Sequence, residues 1–130
     1  MIAADTSTWI SFLEGGSGED TRRLDKALAD RQVLMVPVVL TELLSDAKLH
    51  SDVIRTLSEI PLVEVNPGYW QRAGLLRAKV LSRGRKARLG DALIAQSCID
   101  QEITLLTRDR DFRAFAENAG LEIVMELPRK

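Results

Sequence analysis

Short, largely apolar runs alternate along this chain with segments of helical periodicity, and this alternation constrains the fold more than any other feature. Continuous apolar runs of this length suit strands that are buried on both faces of a parallel sheet. We expect five such strands. They span residues 2–4, 33–36, 62–65, 104–106 and 122–125.

The segments between these runs place apolar residues at helical spacing. Strands that alternate with helices imply crossover connections, with helices covering both faces of the sheet. A chain of 130 residues can bury one substantial core. The sequence therefore predicts a single domain over residues 1–130, with a three-layer α/β/α architecture and a parallel sheet of about five strands. The expected helical segments are 19–30, 39–60, 73–84, 91–101 and 109–118.

Cysteine and histidine contents exclude several classes of chemistry. Cys98 is the single cysteine, so the chain forms no internal disulfide, and its apolar neighbourhood indicates a buried, inert thiol. His50 is the single histidine, which argues against histidine-rich zinc sites and histidine-based triads. The apolar runs are too short to cross a bilayer, and residues 1–13 lack the basic start of a signal peptide. We expect a cytoplasmic protein without membrane association.

Acidic residues fall where a parallel α/β sheet would gather them at one edge. Asp5 follows the first strand, Glu42 lies in the first turns of the helix after the second, and Asp91 opens a helix. Asp109 and Asp111 come directly after the fourth strand. Strand carboxyl ends and the N-termini of crossover helices share one rim of such a fold, which is where ligands bind. We expect all five carboxylates there.

Each carboxylate taken alone has a structural alternative. Asp5, Asp91 and Asp109 each have the sequence context of a helix N-cap, and Glu42 could complement a helix macrodipole. Taken together, however, four or five carboxylates at one rim would repel one another. Hard divalent cations with oxygen ligands, Mg²⁺ or Mn²⁺, would compensate that repulsion.

Such ions would give the site a hydrolytic chemistry that needs no histidine. Divalent ions held by carboxylates can activate water and neutralise charge in a phosphodiester displacement. Thr6, Ser7 and Thr107 are placed to hydrogen-bond the carboxylates or a metal-bound water, although each could equally cap a helix.

A basic cluster precedes Asp91. No acidic residue lies between Glu64 and Asp91, so the local field is positive and suits a phosphate backbone. The alternative is a solvated helix face of arginines and lysines. The candidates for phosphate contact are Arg83, Arg85, Lys86 and Arg88.

Four motifs in order resemble the PIN-domain nucleases, and among them the VapC-type toxins of type II toxin–antitoxin systems. The resemblance covers nearly the whole chain in length, order and motif spacing. The motifs are Asp5-Thr6-Ser7, Thr41-Glu42-Leu43-Leu44, Leu89-Gly90-Asp91-Ala92-Leu93-Ile94-Ala95 and Leu106-Thr107-Arg108-Asp109-Arg110-Asp111-Phe112.

The resemblance implies a PIN-like sheet with strand order 3-2-1-4-5 and a Mg²⁺- or Mn²⁺-dependent endoribonuclease activity. It assigns metal binding to Asp5, Glu42, Asp91 and the Asp109/Asp111 pair, within which we favour Asp109. It also implies an RNA substrate, a homodimer and a VapB-type antitoxin that lies in a groove, for which the helices 19–30 and 39–60 are candidates. Because the basic cluster abuts the expected metal site, we favour contact with RNA phosphates.

Other interpretations stay open. The chain could be a PIN-domain RNA-processing nuclease outside a toxin–antitoxin system, or a non-catalytic RNA-binding PIN module, although every acidic motif position is filled. A phosphoaspartate phosphatase would need a second Asp at position 7, where this chain has Ser7. Trp9, Phe12 and Trp70 are expected in the core rather than at an interface.

Overall fold

Three parallel strands form the centre of the sheet. The computed structural model describes residues 1–125. The strands lie in the order β1–β2–β3, and Ala4 pairs with Leu106, so β1 and β2 end at the same edge. Their bounds are β1 (Ile2–Ala4), β2 (Thr104–Thr107) and β3 (Ile123–Met125).

Segments 33–36 and 62–65 extend this sheet only by isolated parallel bridges, not as the full strands expected from sequence. Pro37 begins a helix directly after the first segment, and Pro61 has no N–H to donate before the second, so neither can build a longer ladder. Their positions nevertheless give the order 3-2-1-4-5 implied by the family resemblance. The bridges join Ile2 to Val33 and Met35 to Leu62.

Helices in two packed groups cover the sheet, as expected for an α/β/α architecture. Helices α1 and α2 pack together and contact β2. Helices α5, α6 and α7 also pack together, and of these α6 contacts β2 and α7 contacts β3. Within residues 1–125 no helix is long and apolar enough to cross a membrane. The helices are α1 (Thr6–Leu13), α2 (Glu19–Ala29), α3 (Pro37–Leu44), α4 (Ser51–Glu59), α5 (Tyr69–Ser82), α6 (Leu89–Asp100) and α7 (Phe112–Ala119).

Several helix boundaries differ from those expected. The segment 39–60 forms two helices, because the chain leaves α3 after Leu44 and the imidazole of His50 caps α4 by accepting a hydrogen bond from the Asp52 backbone N at 3.1 Å. The last helix begins at Phe112 rather than at residue 109. It ends at Gly120, whose φ of +71° is the left-handed conformation that favours glycine after a helix.

Both faces of the central strand are buried. Leu105 and Leu106 point to opposite sides of β2, and neither is more than 1% exposed. Helix α6 is central as predicted, and within it burial raises the pKa of the Cys98 thiol to about 12, which makes this cysteine inert.

The aromatic residues divide between core and surface. Trp9 is fully buried, whereas Trp70 is 66% exposed, so its expected place in the core is wrong. Tyr69 takes the buried position at the start of α5 and donates its hydroxyl to the Leu93 carbonyl at 2.6 Å. Adjacent helical residues point about 100° apart, so Trp70 faces solvent.

Candidate metal centre

Asp5 connects the central sheet to the first helix. Its backbone N continues the β1–β2 pairing by donating to the Leu106 carbonyl at 3.1 Å. Its side chain is the N-cap of α1, with Oδ1 accepting a hydrogen bond from the Thr8 backbone N at 2.9 Å. The capping alternative therefore describes Asp5 correctly, but only one of its oxygens is used in this way.

Hydroxyl groups hold the Asp5 carboxylate in a fixed orientation. Thr107 Oγ1 donates to Asp5 Oδ2 at 2.6 Å, and Ser7 Oγ donates to the same oxygen at 2.9 Å. The Asp5 side chain is almost completely buried. Burial raises the pKa of Asp5, although the hydrogen bonds from Thr107 and Ser7 oppose that rise.

Three further carboxylates converge beside Asp5. One oxygen from each of Asp91, Asp109 and Asp111 lies within 4.8 Å of the others. Asp91 comes from the first turn of α6, and Asp109 and Asp111 come from the loop between β2 and α7. The loop is tied down because the Asp109 backbone N donates to Thr107 Oγ1 and the Asp111 backbone N donates to Asp109 Oδ1, both at 2.9 Å.

Helix capping does not explain these three residues. Arg88, not Asp91, occupies the N-cap position of α6. Asp111 occupies the N-cap position of α7 but makes no side-chain capping bond there, and Asp109 lies outside that helix. The N-cap interpretation of Asp91 and Asp109 is therefore wrong.

The cluster is electrostatically unfavourable for the chain alone. Asp91 Oδ2 is buried and has no hydrogen-bond partner within residues 1–125. Burial raises the pKa of Asp91 to about 6, with further upward contributions from the negative charges of Asp109, Asp5 and Asp111, and Arg88 only partly opposes them. An unpartnered buried carboxylate oxygen among like charges requires a positive partner.

Glu42 lies at the outer edge of this arrangement. It extends from the second turn of α3 and is exposed, and its Oε1 accepts a hydrogen bond from Thr6 Oγ1 at 2.7 Å. A methyl group added at Gly90 would stand 3.8 Å from Glu42 Oε2, so this carboxylate faces the beginning of α6. Glu42 therefore borders the group formed by Asp91, Asp109 and Asp111 without belonging to it.

The donor set suits a hard divalent cation. Every candidate ligand is a carboxylate oxygen, which is the ligand type that Mg²⁺ and Mn²⁺ prefer. Asp91 Oδ2 has no hydrogen-bond partner within residues 1–125, and the carboxylates of Asp91, Asp109 and Asp111 lie close together. The geometry, and not only the residue types, therefore favours a bound cation. Asp91, Asp109 and Asp111 together could hold such an ion. Asp5 lies outside this group of three but close enough for its charge to raise the pKa of Asp91, and Glu42 lies at the edge.

Two of the four basic candidates, Lys86 and Arg88, lie at this cluster, whereas Arg83 and Arg85 do not contact it in the described chain. Lys86 Nζ lies 3.6 Å from Asp111 Oδ2, and Arg88 is close enough to Asp91 to lower its pKa. Arg85 instead pairs with Glu117 at 2.7 Å. Arg83 is exposed at the end of α5.

Sequence reasoning missed an ion pair beside the cluster, in which the carboxylate is buried and the arginine is partly exposed. Asp20 is 2% exposed and pairs with Arg108, which immediately precedes Asp109. A signal was present, because Asp20 shares its helical face with Leu24 and Ala27 at spacings of four and seven residues, a pattern that indicates a buried position.

Comparisons with known proteins identify the family of this chain. Residues 2–118 match the family described as PIN domain, which is most of the chain. The chain belongs to the PIN-domain family. It is 28% identical over 132 residues to a protein named Ribonuclease VapC5 from Mycobacterium tuberculosis, and the match covers 92% of this chain and 91% of that protein.

Solved structures of PIN-domain relatives share the fold. The VapBC2 complex of Rickettsia felis bound to a promoter DNA fragment superposes with a TM-score of 0.73 at 20% identity, covering 97% of this chain and 99% of that one. The VapBC-5 complex of Mycobacterium tuberculosis gives a TM-score of 0.68 at 24% identity, covering 96% and 98%.

The repulsion within the cluster predicts that metal-free protein gains stability when Asp91 is neutralised. A folded-state pKa raised from 3.8 to about 6 means that the contribution of Asp91 to stability is complete below pH 3.8 and is lost as the pH rises through about 6. At pH 8 we expect Asp91→Asn to raise the free energy of unfolding by about 1–2 kcal/mol, after allowing for solvent screening of this partly exposed group.

Urea unfolding in EDTA at pH 5 and pH 8 tests this. The gain should be larger at pH 8, and Glu64→Gln, which neutralises an exposed carboxylate outside the cluster, should give no gain. A variant less stable than the wild type at pH 8 would show that Asp91 is not under repulsion.

Proposed function

We propose that this chain is a metal-dependent endoribonuclease that serves as the toxin of a VapBC-type toxin–antitoxin pair. The observation that carries the proposal is the buried, unpartnered oxygen of Asp91 beside three other carboxylates at the carboxyl edge of the sheet. Membership of the PIN-domain family and the ribonuclease relative over 92% of the chain support the same activity.

Different side chains would bind the ion and orient its ligands. Asp5, Asp91 and one or both of Asp109 and Asp111 would hold Mg²⁺ or Mn²⁺. When bound, the ion would supply Lewis-acid chemistry, by activating water and neutralising charge on the scissile phosphodiester. Ser7 and Thr107 would keep Asp5 ionised and correctly oriented, since both donate hydrogen bonds to its carboxylate.

The edge of the site would contact the RNA chain. Lys86 and Arg88 lie at the acidic cluster, so they are best placed to meet phosphates next to the cleaved bond. Arg83 and Arg85 would contact phosphates farther along, with Arg85 first leaving Glu117. Glu42 faces the beginning of α6 and would complete the acidic ligand set.

A second surface suits the antitoxin. Helices α1, α2 and α4 enclose an apolar groove of about 220 Å³. The groove uses parts of the predicted segments 19–30 and 39–60, with α1 in place of α3, and an apolar segment of a VapB-type partner would bury its side chains there. Two of the solved complexes that share this fold are VapBC pairs. The apolar lining of the groove in this chain consists of Trp9, Phe12, Leu13, Leu28, Val53, Leu57 and Ile60.

Self-association would use a different face. Helix α5 exposes Trp70, Leu75 and Leu81, which are large apolar residues without cover in the described chain. Exposed apolar side chains grouped on one element are typical of protein interfaces. We include a homodimer in the proposal on this basis.

Cleavage of a single-stranded RNA by purified protein tests the proposed activity. We expect cleavage with Mn²⁺ or Mg²⁺ and none in EDTA. Asp5→Asn should reduce the rate by at least about 100-fold, because groups that only support metal ligands already cost about 10–100-fold. Glu64→Gln, an exposed carboxylate outside the cluster, should retain the wild-type rate. Metal-independent cleavage, or an Asp5→Asn variant as active as the wild type, would refute the metal-nuclease proposal.

Substitution in the groove tests the proposed partner separately. Thr56 is an exposed residue that lines the groove, so Thr56→Arg should obstruct it without disturbing the core. Co-expression with the small protein encoded in the neighbouring reading frame should give a complex that Thr56→Arg weakens at least about tenfold. The RNase activity of Thr56→Arg alone should be unchanged. An undiminished complex would place the partner elsewhere.

A further inference from the structure

An ion pair between a buried carboxylate and a partly exposed arginine lies next to the acidic cluster. Arg108 Nε donates to Asp20 Oδ2 and a terminal nitrogen of Arg108 donates to Asp20 Oδ1, both at 2.9 Å, so the contact is bidentate. The same guanidinium donates to the Ser17 carbonyl at 3.3 Å. The Asp20 side chain is only 2% exposed, whereas that of Arg108 is 38% exposed. Helix α2 is therefore fastened to the loop that follows β2.

The pair belongs to a closed ring of contacts that lies beside the acidic cluster and includes Asp5. Thr8 Oγ1 donates to Asp20 Oδ2 at 2.8 Å, and the backbone N of Thr8 donates to Asp5. Asp5 accepts a hydrogen bond from Thr107, which is the residue before Arg108. The ring thus runs from Asp5 through Thr8, Asp20 and Arg108 to Thr107 and back to Asp5.

The ring fixes the start of the loop that presents two acidic residues. Asp109 follows Arg108 directly, and its backbone N is held by Thr107 Oγ1. With the side chains of Thr107 and Arg108 both anchored, the chain has little freedom in where it places Asp109. Asp111 is set in turn by its backbone hydrogen bond to Asp109.

The cost of burial indicates that this ion pair does more than add stability. Burial by itself raises the pKa of Asp20, but the hydrogen bonds from Arg108 and Thr8 outweigh burial and lower the pKa below its usual value, so the buried Asp20 carboxylate is ionised. Burying this carboxylate costs free energy that a partly exposed partner only partly offsets, so the pair adds little net stability. The better attested role of such pairs is to fix one arrangement against alternatives. The arrangement fixed here is one in which carboxylates that repel each other stay close together.

We propose that Asp20 and Arg108 are positioning residues for the metal centre. They hold the loop after β2 so that Asp109 and Asp111 meet Asp91 at ligand distance, and they touch neither the ion nor the RNA. This inference rests on the proposed function, because it assumes that the acidic cluster binds a divalent cation.

Mn²⁺ affinity of the folded protein, measured by titration calorimetry at pH 7.5 and well below the melting temperature, tests this role. Asp20→Asn should weaken Mn²⁺ binding about tenfold, the lower end of the effect of groups that support metal ligands. Arg108→Lys keeps the charge but loses the bidentate contact, so it should give a smaller loss. The Arg108→Lys variant also tests the positioning role if Asp20→Asn does not fold.

A second ion pair provides the matched control. Arg72 makes a bidentate contact to Asp100 at 3.1 and 2.6 Å, with 40% and 10% of the two side chains exposed, and it joins α5 to α6 without contacting the acidic cluster. Asp100→Asn should lower the melting temperature yet leave the Mn²⁺ affinity within about twofold of the wild type.

The outcomes separate the two proposals. If the wild type binds Mn²⁺ and every Asp20 and Arg108 variant that folds binds it equally well, the positioning role is wrong while the metal centre stands. If Asp100→Asn loses as much affinity as Asp20→Asn, general destabilisation explains both and the positioning role is again wrong. If the wild type binds no Mn²⁺, the proposed function fails and the positioning role fails with it.

Discussion

Parallel pairing of β1 with β2 places the Asp5 carboxylate beside the Thr107 hydroxyl, and the acidic site is assembled around that contact. The 2.6 Å hydrogen bond between them joins residues 102 positions apart in sequence. Asp5 also starts α1, and Thr107 also holds the backbone of Asp109. One pair of side chains therefore links strand register, helix capping and the geometry of the candidate ligands.

The acidic site imposes a cost on the fold. Burial raises the pKa of Asp91, the negative charges of Asp109, Asp5 and Asp111 raise it further, and one of its oxygens has no hydrogen-bond partner within residues 1–125. Stability alone would favour a neutral or apolar residue at such a position. The surrounding structure tolerates the repulsion because hydroxyl donors, the ion pair of Asp20 with Arg108 and the largely buried helix α6 hold the carboxylates in place.

Sequence patterns predicted the features that follow from local order along the chain. The order of strands and helices places Asp5, Asp91, Asp109 and Asp111 at one rim, and the structure brings the last three within 4.8 Å of one another. Helix capping was a poorer guide, because Arg88 rather than Asp91 occupies the N-cap position of α6.

Features that depend on tertiary contacts could not be predicted from local sequence patterns. The pairing of Asp20 with Arg108 spans 88 residues, and local periodicity shows only that Asp20 faces inward. The exposure of Trp70 depends on Tyr69 occupying the buried position next to it.

The central claim is that the acidic cluster is a divalent-cation site, and anomalous diffraction from crystals soaked in Mn²⁺ tests it most directly. We predict a peak bounded by Asp5, Asp91 and the Asp109/Asp111 pair, with carboxylate oxygens at about 2.0–2.2 Å as in related hard-cation sites. Manganese bound only at exposed surface carboxylates, with none in the cluster, would contradict it.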